Sequence, residues 1–277
     1  MGFLNKLFGK RKEDMRSEEN QQPEGDMANQ DSILGFALLR EAGFDMNGLA
    51  ERIKAEFGPD TETEFSGGNL SSLAIQADGI QFMCTLMPFP VPDKEVDNLI
   101  PYNMLPADSA DVFKEHQAFL VTACRGFDMG QKCEVCLRYN RLCGAVMETE
   151  QAAGMYMGGA GLLISREAYL KHVEIIRSPI GQDKAYFPAP LWIRVFLYMD
   201  GEKKMARTDG LKNFGFPDVC FYHTHQDPGF LYQQLNMIAI EEITGRGVYR
   251  NGDIIHMDGK MEAICKLSGD VLNIIGT

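Results

Sequence analysis

The sequence predicts an α+β fold, and three observations predict it. Short apolar runs of strand length recur, as at Ile33–Arg40 and Ala118–Ala123. Between them lie segments whose apolar residues return every three or four positions, the period of a helix. Glycine-bearing pairs such as Asp78-Gly79 separate neighbouring apolar runs at hairpin distance. The expected order over the N-terminal portion is β-α-β-β-α-β, that of a ferredoxin-like unit. An additional mixed α/β portion follows, and the two are expected to form one compact unit over 33–277, with sub-halves at 33–125 and 126–277.

Each element has a local reason. Ile33–Arg40 is the first strand. Asp45 then offers a helix cap ahead of Leu49, Ile53 and Phe57, which share a face that ends at Gly58-Pro59. Leu70–Ala77 and Ile80–Met87 form a hairpin across Asp78-Gly79, and Pro88, Pro90 and Pro92 end it because proline cannot donate to a strand ladder. Helical stretches follow at Lys94–Ile100, stopped by Pro101, and near Ala110–Glu115. Ala118–Ala123 is a buried strand. Asp128 is read as the cap of a helix running to about Met147, and Met155–Ile164 as one small-residue strand. Ser165 caps a helix carrying Tyr169, Leu170, Val173 and Ile176. Leu191–Met199 is a strand holding the only tryptophan, Trp192, as a core anchor. Asp227 followed by Pro228 starts a helix, since a missing N–H costs nothing in the first turn. Asn251-Gly252, Asp258-Gly259 and Ser268-Gly269 punctuate a closing meander.

Charge divides the chain of 277 residues more sharply than hydropathy does. The total is −12, yet residues 1–12 carry Lys6, Lys10, Arg11 and Lys12 and no acid, for +4. Residues 13–32 carry seven acids against Arg16, for −6, which leaves −10 on the body. An acidic body argues against general nucleic-acid binding, because that affinity comes from cations neutralising phosphates. In the head, Phe3, Leu4, Leu7 and Phe8 fall on one helical face beside the cations, a pattern suited to weak contact with an anionic membrane surface. The stretch 13–32 lacks the apolar residues to offset its ordering entropy and is expected to be a disordered tether. No apolar run approaches the ~18 residues of a membrane span.

Several spaced elements carry a resemblance. They are Gly35-Phe36-Ala37-Leu38-Leu39, Pro88-Phe89-Pro90-Val91-Pro92, His116-Gln117-Ala118-Phe119-Leu120-Val121, Pro190-Leu191-Trp192-Ile193 and Gly252-Asp253-Ile254-Ile255. The most distinctive is Thr208-Asp209-Gly210-Leu211 with Phe214-Gly215-Phe216-Pro217-Asp218. Together they resemble the bacterial domain of unknown function family 4261, over roughly residues 33–275. The resemblance implies a bacterial α+β protein and assigns no reaction and no catalytic residue. Asp218 stands where that family often has Glu. Trp192, Thr208, Gly210, Phe214, Gly215, Pro217 and Asp218 are therefore positions of interest without a stated role.

Two sets of side chains invite chemistry. Seven cysteines without a secretion signal fit free thiols in a reducing cytoplasm. Cys133-x-x-Cys136 has the spacing of a redox pair. With Asp128 as cap, however, Cys133 falls beyond the first-turn amides, and Glu134 raises a neighbouring thiol's pKa. Cys133, Cys136 and Cys143 also share one helical face, as a packing stripe does. His223-Thr224-His225 alternates as on a strand, and Asp227 could complete a His₂-carboxylate metal set. Asp227 is equally explained as a helix cap. Gly158-Gly159-Ala160-Gly161 lacks the Lys-Ser/Thr ending of a phosphate loop.

Two function classes follow. The favoured one is a non-catalytic binding or regulatory module in the cytoplasm, without a cofactor, that recognises a protein partner. In an immunity-type version the acidic body meets a basic partner through complementary fields. The alternative is a metal-dependent enzyme built on His223, His225 and a carboxylate.

Overall fold

The computed structural model describes residues 31–66, 71–77, 79–106, 109–200, 203–257 and 261–276. The basic head and nearly all of the acidic tether lie outside the described residues, as do Asp78 and the pair Asp258-Gly259.

The first sheet grows around a strand that is apolar on both faces. In β1 (Asp31–Leu39), Ile33, Ala37 and Leu39 enter the main core, while Phe36 and Leu38 enter a second apolar cluster on the opposite side. Such a strand has no polar face to give to water and belongs in the middle of a sheet. Its neighbours are β5 (Ala118–Phe127) and β6 (Ala152–Met157), both antiparallel. Beyond β5 lie β4 (Ile80–Met87), β3 (Ser72–Ala77) and β2 (Glu62–Ser66); beyond β6 lies β7 (Leu162–Ser165). The order is β2-β3-β4-β5-β1-β6-β7.

Helices cover both faces. On the main-core side sit α1 (Met46–Phe57), α4 (Lys132–Met147) and α5 (Arg166–Arg177). Their acids and cations interlock: Glu56 accepts from Arg141 at 2.6 Å and Arg177 at 2.7 Å, and Arg177 also meets Glu148 at 2.6 Å. The other face is covered by α2 (Glu95–Leu99) and α3 (Ser109–Lys114), whose Val96 and Phe113 join the second cluster. His116 ties this layer down: its Nδ1–H donates to the Phe113 carbonyl at 2.6 Å, and its Nε2 accepts from the Val91 N–H at 2.9 Å.

The second sheet has the order β11-β12-β13-β10-β9-β8. It comprises β8 (Arg194–Asp200), β9 (Lys203–Asp209), β10 (Asp218–Thr224), β11 (Ile254–Met257), β12 (Met261–Ser268) and β13 (Val271–Gly276). Only β10 and β13 run parallel among these pairs. α6 (Pro228–Ile243) packs on β8 and β9 and supplies Leu231, Leu235, Ile238 and Ala239 to the core. That core is continuous from Ile33 in the first sheet to Ile274 in the second. Trp192 stands between them, with ring centroids 5.7 Å from Tyr139, 6.4 Å from Phe187 and 6.1 Å from Phe214.

The α+β class and most elements agree with the sequence reading, and the caps of α1 and α5 are where they were expected. Asp45 Oδ1 accepts from the Gly48 N–H at 2.9 Å, and Ser165 Oγ from the Ala168 N–H at 3.3 Å. The pairing differs from a ferredoxin-like sheet. There β4 would lie beside β1; here β5 separates them, pairing with β4 on one side and β1 on the other. Element order cannot show which neighbour a two-sided apolar strand will choose. Met155–Ile164 is two strands rather than one, because Gly158–Gly161 turns the chain back, with Gly161 at φ 59°. Asp128 does not cap α4: a 3₁₀ turn, Met129–Gln131, intervenes, and Gln131 holds the cap position. β2 and β9 give no strand signal, since their polar alternation resembles a loop, and β10 is announced only by the His223-Thr224 alternation at its end. The division between sheets falls between Ser165 and Arg194, because β6 and β7 belong with β1.

Candidate functional site

The 208–218 stretch is a structural closure. Thr208, fully buried on β9, donates its hydroxyl to Asp218 Oδ1 at 3.2 Å and accepts from the Val219 N–H at 2.8 Å. The same Asp218 oxygen accepts from the Leu211 N–H at 3.1 Å. Asp218 thus pins both ends of the β9–β10 connection from within. Gly210 is required there: its φ is 127°, and a Cβ would sit 2.7 Å from the Trp192 carbonyl oxygen. Phe214 lies edge-on to Phe187, centroids 5.4 Å apart, and Gly215 turns the chain at φ 86° towards Pro217. Burial raises the Asp218 pKa, opposed by the Leu211 amide; Asp209 adds to the rise, and Thr208 and Arg207 counter it. Asp218→Ala should lower stability by about 2 kcal/mol, since it strands two buried donors. Denaturant unfolding of Asp218→Ala beside Thr208→Val and the double variant checks this: the two losses should be far from additive.

The thiols lack the setting of a reactive pair. Cys133 lies in the first turn of α4, nearer the helix terminus than the sequence suggested, yet its pKa is raised by burial and then by Glu134. Cys136 is fully buried. Burial also pushes Cys143 up to about 11 and Cys124 up to about 12. No disulfide joins any of the seven cysteines.

The histidines are placed in part. His223 is the penultimate residue of β10, and its side chain lies outside the described residues. His225 is exposed in the following loop. Asp227 caps α6, its Oδ1 accepting from the Gly229 N–H at 2.8 Å and the Phe230 N–H at 3.2 Å. Among the described residues, no three His, Cys, Asp or Glu side chains group as metal ligands would.

A cleft of ≈ 760 Å³ lies elsewhere, where the segment 99–104 meets β8. Asn103 holds that segment in place. Its Nδ2 donates to the Leu99 carbonyl at 2.9 Å and the Gly161 carbonyl at 3.1 Å, and its Oδ1 accepts from the Leu163 N–H at 2.9 Å. The last bond matters because β7 ends the first sheet, so Asn103 takes up part of an otherwise open edge. β8 ends the second sheet, and all five residues from Arg194 to Tyr198 line the cleft. Residues of both strand faces contribute, so the cleft runs along the strand's edge and not over one face.

The cleft has an apolar length and a polar end. Tyr102, Met104 and Tyr198 are 67%, 60% and 40% exposed, an unusual grouping of large apolar side chains at one surface. Phe196 stacks on Tyr198 at 6.1 Å, and the Arg194 guanidinium lies 5.2 Å from the Phe196 ring. Arg194 pairs with Asp209 at 2.7 Å and donates to the Gly161 carbonyl at 3.3 Å. An adjoining hollow of ≈ 350 Å³ contains Glu95 and Tyr156, whose hydroxyl donates to Glu95 Oε1 at 2.8 Å. Glu95 Oε2 and Arg194 Nε are buried without a hydrogen-bond partner. Just before Glu95, Asp93 and Lys94 both hold positive φ, 59° and 53°, which side chains other than glycine rarely adopt.

Sequence reasoning missed this site. Two signals were present: the Ile100–Pro106 stretch is apolar without periodicity, and Arg194, Phe196 and Tyr198 alternate along one strand face. Neither says that the two segments meet. Among known proteins, no family model, no curated protein and no solved structure matches the chain. No helix among the described residues is long and apolar enough to cross a membrane.

Proposed function

We propose that the chain is a binding module that takes an extended, apolar and basic peptide segment of a protein partner in the cleft beside β8. One observation carries this reading: a sheet-edge strand offers its whole Arg194–Tyr198 run to a cleft with exposed Tyr102 and Met104 on its other wall. An edge strand supplies main-chain hydrogen bonds to an added strand, and flanking pockets select alternate side chains. The body's charge of −10 favours a basic partner and speeds its approach. The immunity-type role and the family resemblance belong to the same proposal; a basic toxin is one partner such a module would neutralise.

The test is selection of 12-residue peptides from a displayed random library against the purified full-length protein. Enrichment of sequences with apolar residues at alternate positions and added Lys or Arg is expected. Tyr102→Asp should weaken the selected peptides at least tenfold with an unchanged melting temperature, because Tyr102 is exposed and its loss opens no cavity. A library yielding no binder, or binders indifferent to Tyr102→Asp, overturns the proposal.

A further inference from the structure

We infer that the cleft beside β8 is occupied by the chain's own residues 1–12, so that a partner must displace the head to bind. The inference rests on the reading of the cleft as a peptide seat and adds its first occupant.

Three observations converge on the head. The first is position. β6 runs antiparallel to β1 with Phe36 opposite Tyr156, so the Gly158–Gly161 turn lies at the end of the sheet where the chain enters β1. Gly158 and Gly161 line the hollow beside the cleft. Everything before Asp31 therefore joins the body at that end of the sheet. The second is reach: the 18 residues from 13 to 30 can span up to ~60 Å when extended, about twice the length of the nine-residue β1 at ~3.3 Å per residue.

The third is chemistry. The head offers Phe3, Leu4, Leu7 and Phe8 with Lys6, Lys10, Arg11 and Lys12. The cleft offers Tyr102, Met104, Phe196 and Tyr198; its one charged lining residue, Arg194, is paired with Asp209, and the adjoining hollow carries Asp93 and Glu95. Apolar residues meet the apolar walls, and the cations of the +4 segment meet the two acids of the adjoining hollow on a −10 body. A tethered ligand is present at an effective concentration of about millimolar, so even a weak fit competes well in cis. If the cleft is closed nine-tenths of the time, an external peptide loses about tenfold in apparent affinity.

The experiment uses the full chain with p-benzoylphenylalanine in place of Phe8. On illumination, cross-links within one chain to the 99–104 segment or to β8 are expected, and Tyr102→Asp should abolish them. Cross-links elsewhere, only between chains, or none, overturn the inference. A second measurement separates it from the reading beneath. The full chain with Phe3, Leu4, Leu7 and Phe8 each replaced by Asp should bind a library-selected peptide about tenfold more tightly than the unaltered chain. Equal, Tyr102-dependent affinities would leave the peptide seat standing and dismiss the head as its occupant. No peptide binding by either chain would remove both. Association of the unaltered chain with phosphatidylserine vesicles, lost on the same replacements, with no cross-link to the cleft, would assign the head to a membrane surface and likewise overturn the inference.

Discussion

Glu242→Gln should leave the protein more stable at pH 8 than the unaltered chain, and should do far less at pH 5. Glu242 lies on α6 at 1% exposure, and neither carboxyl oxygen has a hydrogen-bond partner. Burial therefore disfavours its charge and pushes the pKa from an ordinary 4.5 up to about 7; the Tyr249 backbone N–H offsets part of this without reaching hydrogen-bond geometry. The sign follows from proton counts. Between about 4.5 and 7 the folded chain holds a proton that the unfolded chain has lost, so stability falls as pH rises through that window. The contribution is complete below 4.5 and gone above 7, and the span corresponds to about 3 kcal/mol. A glutamine stays neutral throughout and removes the fall. Urea unfolding of both proteins at pH 5 and pH 8 measures it as a difference, in which His116 and His172, whose pKa values burial lowers, cancel. A stability difference that is the same at both pH values would refute the assignment.

Trp192→Ala should cost about 3–5 kcal/mol, the usual range for deleting a buried large aromatic. The indole is 7% exposed and sits among Tyr139, Phe187 and Phe214, so its loss opens a void between the two sheets and not within one. Trp192→Phe should recover more than half of the loss. The indole Nε1 has no hydrogen-bond partner to forfeit, so volume alone decides the difference. Circular dichroism against denaturant reads both variants, since the only tryptophan is removed in each. A cost below about 1 kcal/mol for Trp192→Ala, well under the usual range, would mean that the sheets hold together without this cluster.

The two largest effects arise at residues whose sequence signals were unequal. Trp192 was legible as an anchor because a lone tryptophan in an apolar run has few other uses. Glu242 was not, since a glutamate near a helix end normally faces water, and only packing shows that this one does not. The 208–218 stretch shows the intermediate case. Its residues stood out as a motif, but nothing in their order says that Asp218 turns inward to hold Thr208 and Leu211.

The chain's local features were settled by local physics. Asp45, Ser165 and Asp227 start helices because their side chains satisfy amides that a first turn leaves open, and this needs no distant partner. Most apolar runs became strands, but Leu191 closes a 3₁₀ turn and Trp192 follows it, so the strand expected from Leu191 begins only at Arg194; the uneven distribution of charge follows directly from composition. Pairing and site formation belong to the tertiary structure. Whether β5 lies beside β1 or β4, and whether Ile100–Pro106 meets β8, depends on contacts between residues far apart along the chain. A side-chain period fixes which face is apolar; it carries no information about which apolar face will meet it.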